Sequence, residues 1–148
     1  MDLTTLIEQM EIIEVLNRYA TACDSRDWGL FDQVFTPDVE TDYGGTNRFS
    51  SRNATVDMIQ GFLGGCGPTQ HLLGNYRITI EGDKADSVCY VRAFHAGIGK
   101  AEGKTFEVWA EYQDRLVRTT DGWRIARRTM VNIWAEGSID VLQPLNEP

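Results

Sequence analysis

Between residues 5 and 24 the apolar residues Leu6, Met10, Ile13, Leu16, Ala20 and Cys23 return every three or four positions, which predicts a helix with one buried face. Asp24 falls on that same face, four residues past Ala20 and eleven past Ile13, about three turns at 3.6 residues each. A second, short helix is expected behind Asp27, which can cap it; Trp28, Phe31, Val34 and Phe35 give it an apolar side and Pro37 stops it. Residues 39–43 read as a short strand ended by Gly44-Gly45. A third helix, over about residues 54–63, carries Val56, Ile59, Phe62 and Leu63. The loop Gly64-Gly65-Cys66-Gly67-Pro68 closes it, and its glycines suggest mobility.

From Thr69 onward the pattern turns to strands, over residues 70–80, 85–96, 105–117 and 123–134, with turns at Gly82-Asp83 and Asp121-Gly122. Helices gathered before a long antiparallel meander predict an α+β fold. Three N-terminal helices would cover the concave side of a strongly curved antiparallel sheet, leaving a cone-like cavity. No linker or repeat interrupts residues 1–148, so one domain is expected, with 137–148 as a C-terminal arm over the pocket or a subunit neighbour.

Composition narrows the partners. A chain of 148 residues can bury a core without disulfides or a structural metal. Fourteen Lys and Arg against 22 Asp and Glu give a net charge of −8, which repels nucleic acid and acidic membranes and favours a small, neutral ligand. Three widely spaced cysteines without a CxxC pattern fit reduced thiols in the cytoplasm and argue against zinc. The N-terminus lacks the character of a signal peptide, and no run of about 18 apolar residues occurs, so a soluble, non-secreted protein with no membrane partner is expected. The sequon Asn53-Ala54-Thr55 carries no weight without secretion. No Walker loop, GxGxxG or GxSxG pattern and no grouped metal ligands occur, which argues against nucleotide-driven, hydride-transfer, serine-hydrolase and metal chemistry.

The candidate chemistry rests on few residues. There are two histidines, His71 and His95, each in a predicted strand. Alternation puts His71, Leu73 and Asn75 on one face, and aligns Ala85, Ser87, Cys89, Val91, Ala93 and His95 on a face of small or apolar groups. Both rings could therefore project into a cavity, or each could be a hydrogen-bonded structural residue. Asp24 could cap the following helix; as a buried carboxylate it would need a partner. Tyr43 at a strand end could simply pack. Taken together, a carboxylate that fixes an imidazole tautomer makes a general base, and a tyrosine hydroxyl can stabilise an enolate. Elimination or isomerisation suits such a set. The arginines Arg115, Arg118, Arg124, Arg127 and Arg128 read as solvated ion pairs or a subunit interface, in view of Glu107 and Glu111, with an acidic-ligand site as the other choice.

The segment Cys23-Asp24-Ser25-Arg26-Asp27-Trp28, followed by Pro37, Asp42-Tyr43, Thr69-Gln70-His71, His95 and Asp121-Gly122-Trp123, closely resembles the scytalone dehydratase and SnoaL-like proteins of the nuclear-transport-factor-2-like (NTF2-like) superfamily. The resemblance covers roughly residues 5–135 and implies a cone-shaped NTF2-like α+β barrel with a lyase site that needs no cofactor. By that likeness Asp24 orients His71, His71 is the base, His95 assists the leaving hydroxyl, and Tyr43 holds the water that polarises a substrate carbonyl. A dehydrochlorinase of the superfamily uses a similar Asp/His pair, so the pair does not choose the leaving group. Departures are visible. A family tyrosine is replaced by Cys23, and an ungapped match puts Glu111 and Gln113 at a serine and an asparagine of the penultimate strand, a one-residue slip offering Tyr112.

The expected function is thus a dehydratase-type lyase on a small cyclic or polycyclic carbonyl compound, with Asn75, Phe62, Trp109, Tyr112 and Trp134 beside the substrate. An isomerase or polyketide-type cyclase would use the same site, and a binding or assembly module is the alternative from another class. The resemblance also implies a homo-oligomer, a trimer before a dimer.

Overall fold

A computed structural model describes residues 1–145; Asn146, Glu147 and Pro148, the end of the expected C-terminal arm, lie outside the described residues. Helix α1 (Leu3–Ser25) starts where the Asp2 side chain accepts the Thr5 N–H at 2.8 Å, and ends at Arg26, whose backbone is left-handed at φ 56°. Its buried line runs through Ile12, Leu16, Tyr19 and Cys23 at three- and four-residue steps, with Val15 and Ala22 beside it. Leu6 and Met10, expected on the buried stripe, are exposed: the sheet meets only the later turns, on a face rotated by about one residue.

Asp27 caps a 3₁₀ helix (Trp28–Gln33), its Oδ1 accepting the Leu30 N–H at 3.2 Å. Strand β1 (Phe35–Asp42) follows at once, so Pro37 sits inside a strand rather than stopping a helix. Register against the neighbouring strand shifts between Phe35 and Glu40, and that irregularity frees the ladder from needing an N–H at Pro37. After a two-residue strand β2 (Arg48–Phe49), Ser51 caps α2 (Arg52–Leu63) by accepting the Ala54 N–H at 3.1 Å. The long strands β3 (Thr69–Glu81), β4 (Lys84–Ala96), β5 (Thr105–Thr119) and β6 (Gly122–Gly137) form the body of the sheet.

Strand order is β2-β1-β6-β5-β4-β3. The long strands are an antiparallel meander, but β1 lies parallel to β6, so the sheet is mixed where a purely antiparallel one was expected. Its two edge strands, β2 and β3, do not pair with each other. The cone is an open, curved sheet whose concave side is covered by α1 and α2, rather than a closed barrel. No helix among the described residues is long and apolar enough to cross a membrane.

Bulges aim the side chains. In β3, Gly74 faces Tyr90 and Arg77 faces Val88, so Asn75 and Tyr76 together oppose Cys89, with Asn75 at φ 52°. In β6, Ala126 and Ile133 are the extra residues, between the pairs Leu116↔Ile125 and Arg115↔Arg127 and between Ala110↔Asn132 and Trp109↔Trp134. Each insertion exchanges the inward and outward sets beyond it.

The loop between α2 and β3 holds the C-terminal segment. A Cβ on Gly65 would stand 2.3 Å from the Pro144 carbonyl oxygen, so only glycine lets the two backbones approach. The Gly65 N–H donates to the Gln143 carbonyl at 2.8 Å, and the Cys66 thiol donates to the Val141 carbonyl at 3.0 Å. Close approach is thus what the glycine at 65 provides in a loop expected to be mobile.

Candidate active site

The packing of α1 on β3 brings Asp24, in the last turn of the helix, against the start of the strand. Asp24 Oδ1 accepts from His71 Nδ1 at 2.7 Å and from the Thr69 hydroxyl at 3.0 Å, while Oδ2 accepts the His71 backbone N–H at 2.8 Å. Asp27, not Asp24, caps the next helix. Burial works to raise the Asp24 carboxyl, but the His71 hydrogen bonds, the attraction of its ring and the Thr69 hydroxyl outweigh it and hold the carboxyl below its ordinary value. An ionised carboxylate has no proton to give. Nδ1 of His71 therefore carries the hydrogen, which makes Nε2 the nitrogen that holds the lone pair in the neutral ring.

His95 closes a row of strand residues, Ala85, Ser87, Cys89, Val91, Ala93 and His95, that are all buried on one face, as alternation predicts. Its Nδ1 donates to the Phe106 carbonyl at 2.9 Å, which again leaves Nε2 as the acceptor nitrogen. Burial lowers the His95 pKa despite that bond, so the ring rests neutral. The two imidazoles stand 5.7 Å apart between centroids and nearly perpendicular, at 83°.

Both rings line a cavity of about 410 Å³. Most of its wall is apolar, from residues such as Met58, Ile59, Leu63, Val91, Val108 and Met130, with Ile139 and Leu142 of the C-terminal segment; Phe62 and Trp134 also line it. Trp134 is 62 % exposed and its indole N–H donates to Glu136, so it stands at the rim. Tyr43 and Tyr112 both border the cavity. The Tyr43 hydroxyl donates to the Tyr19 hydroxyl at 2.8 Å, and burial raises the Tyr43 phenol to about 12.

Sequence reasoning passed over Tyr19, although it lies three residues after Leu16 and four before Cys23 on the buried line. It supplies a second phenol one turn before the position where Cys23 replaces a tyrosine. Asn47 and Asn132, also unforeseen, are the amides of the wall.

Two expected lining residues are elsewhere. Asn75 is exposed, because the bulge that it opens turns its neighbour Tyr76 inward instead. Trp109 faces outward with the Arg92 guanidinium 4.8 Å over its ring; it lies an odd three positions before Tyr112, so a strand cannot point both into the cavity. Glu111 and Gln113 share that outer side and bond each other.

The arginine run also divides. Arg115 and Arg118 form surface ion pairs with Asp86 and with Asp83 and Glu8, as expected. Arg128, expected in solvent or at an interface, is fully buried: the Ala126 bulge turns it in and leaves Arg127 out. Its Nε and Nη2 bond the two Asp114 carboxylate oxygens at 2.7 and 2.8 Å, and its guanidinium lies 3.9 Å from the Tyr112 ring centroid and 4.2 Å from that of Tyr19. This cation underlies the phenols of the cavity.

Fold and site together define an α+β cone of the NTF2-like kind, with an acid-braced imidazole at the wall of an apolar cavity. The SnoaL-like domain matches residues 4–129, and the chain belongs to that family. The uncharacterised protein Rv2910c of Mycobacterium tuberculosis is 34% identical over 124 residues, 82% of each chain. Among solved structures, a candidate scytalone dehydratase from Novosphingobium aromaticivorans superposes with a TM-score of 0.81 at 19% identity, covering 98% of this chain and 97% of that one. The type-3 hexachlorocyclohexane dehydrochlorinase of Novosphingobium barchaimii gives 0.80 at 15% identity, with both chains covered completely. At those identities the two structural likenesses are likenesses of fold.

Proposed function

We propose that the protein is a lyase that needs no cofactor and removes water from a small cyclic or polycyclic carbonyl compound. One observation carries the reading: the 2.7 Å bond from His71 Nδ1 to Asp24, at the wall of an apolar cavity large enough for a ring system. His71 Nε2 takes the proton from the carbon next to the carbonyl, and the released electron pair forms the enolate. Tyr19, whose hydroxyl accepts from Tyr43, and Tyr112 donate to the carbonyl oxygen directly or through water as it gains charge, and the Tyr43 bond to Tyr19 supports that donation. The enolate electrons then expel the hydroxyl from the neighbouring carbon, and the proton on His71 leaves with it as water. Neutral His95 accepts the hydrogen bond of that hydroxyl at Nε2, which holds it beside His71.

The same base and phenols serve an isomerisation or an intramolecular aldol closure. The resting state of His95, an acceptor and not a donor, favours these where no leaving group needs a second acid. A carrier or assembly role, by contrast, calls for no carboxylate beside the imidazole.

The test is a panel of cyclic β-hydroxy ketones, followed by the absorbance of the conjugated product. His71→Ala is expected to lower turnover by about 10²- to 10⁴-fold and Asp24→Asn to lower it too. Unchanged turnover in both variants discards the mechanism. The reading places the enzyme in the cytoplasm, with its three buried free thiols, as a homo-oligomer.

A further inference from the structure

Arg26 occupies a position where glycine or asparagine is usual, the left-handed residue that ends α1. Its guanidinium is anchored across four segments. Nε donates to the Leu63 carbonyl at 2.9 Å, Nη2 to the Gly67 carbonyl at 2.7 Å, and Nη1 to the Cys23 carbonyl at 2.8 Å and the Thr69 hydroxyl at 2.7 Å, with a longer contact to the Asp24 carbonyl at 3.4 Å. Every acceptor but one is a backbone carbonyl. The exception is the hydroxyl that also touches the Asp24 carboxylate.

Arginine can only donate. Thr69 Oγ1 therefore accepts from Arg26, and its own hydrogen is left for Asp24 Oδ1. That oxygen is the one that accepts from His71 Nδ1. A chain of three contacts thus runs from the end of the helix to the imidazole: the first sets the direction of the second, and the ionised carboxylate accepts both the second and the third. Asp24 needs such bracing, because a quarter of its side chain is open to a groove between α1 and β3, where water offers competing donors.

We infer that Arg26, acting through Thr69, is a positioning residue that locks the Asp24 carboxylate in the orientation that keeps the hydrogen of His71 on Nδ1. The inference rests on the reading of Asp24 and His71 as a base and its orienting acid, and gives that site a third and a fourth member. Arg26 is not itself a lining residue of the cavity and reaches Asp24 and His71 only through its neighbours.

The experiment is nuclear magnetic resonance on the full chain labelled with ¹⁵N-histidine, without substrate. It measures the tautomer of each ring and the rate at which its Nδ1 hydrogen exchanges with water. With two histidines in the chain, His95 is the internal reference, since its Nδ1–H is held by the Phe106 carbonyl and not by Arg26. In the unaltered protein both rings are expected as slowly exchanging Nδ1–H tautomers. Thr69→Val keeps the shape and all the carbonyl bonds of Arg26 but removes the relayed hydroxyl. Arg26→Gln removes the start of the chain.

Both variants are expected to speed exchange at His71 by up to about tenfold, the scale of one lost hydrogen bond, and to admit the Nε2–H form, while His95 stays as it was. Thr69→Ser is expected to restore the original state. If His71 is unchanged in Thr69→Val while His95 confirms the fold, the relay is overturned. Should Arg26→Gln not fold, Thr69→Val and Thr69→Ser still decide the matter. A response to Thr69→Val without one to a folded Arg26→Gln would remove Arg26 from the relay. No turnover enters the measurement, so it fails independently of the proposed reaction.

Discussion

Asp24 takes two hydrogen bonds from one residue: His71 offers its backbone N–H to Oδ2 at 2.8 Å and its ring Nδ1 to Oδ1 at 2.7 Å. The backbone contact fixes where the carboxylate sits relative to the strand, and the ring contact fixes which imidazole nitrogen is basic. Because both come from β3, the backbone bond keeps the carboxylate within reach of the ring as long as the helix end and the strand start stay packed.

The lowered Asp24 pKa has a consequence for stability. In the unfolded chain the carboxyl titrates near its ordinary value of 3.8, and in the folded chain below it. The ionised form is thus favoured by folding; that contribution is complete above the unfolded value and disappears as pH falls through the folded one. Asp24→Asn removes it. Urea unfolding is expected to show the unaltered protein well ahead of the variant at neutral pH and the gap narrowing in acid; a constant gap would contradict the pairing.

Arg128 and Asp114 are both fully buried at the side chain, and each is the other's partner. Asp114→Ala alone leaves a buried cation and should cost about 3–5 kcal/mol in chemical denaturation. Replacing both, Asp114→Leu with Arg128→Met, is expected to cost far less than the sum of the single changes. Additive losses would show that the pair does not act as a unit.

The phenols predict a spectroscopic signature. Tyr43 holds its proton to about 12, and burial raises Tyr19 and Tyr112 well above the ordinary 10.0. Ultraviolet titration should leave these three protonated in a folded protein well above that value. Tyr43→Phe removes the bond to Tyr19 and should lower stability by about 1 kcal/mol. A late tyrosine must vanish from its titration curve.

An outer sheet face that carries exposed Leu72, Tyr90 and Phe94 beside the Arg92–Trp109 stack suits packing against further copies of the chain. Light scattering after size-exclusion chromatography is expected to report a trimer. A monomeric mass would overturn that expectation.

Much of this was legible in the chain. Helical spacing found α1 and placed Asp24 on its packed side, and strict alternation found the buried row that ends in His95, because one strand face repeats every second residue until something interrupts it. Resemblance selected Asp24, His71, His95 and Tyr43 together, and folding brings His71, His95 and Tyr43 to the wall of one chamber, with Asp24 behind His71. Those are properties of local period and of residue type, which a linear string carries.

Only tertiary structure decided the rest. Counting alternate residues from Trp123 and Ile125 points Arg127 inward; the extra residue Ala126 reverses that and buries Arg128. The bulge at Asn75 reverses β3 in the same way and takes that amide off the wall. A bulge adds one residue to one strand only relative to its neighbour, so it exists in the pairing and not in either segment. For the same reason the partner of a helix-end arginine is invisible until α1, α2 and β3 converge: hydrogen-bond acceptors 37 to 43 residues away become neighbours by packing alone.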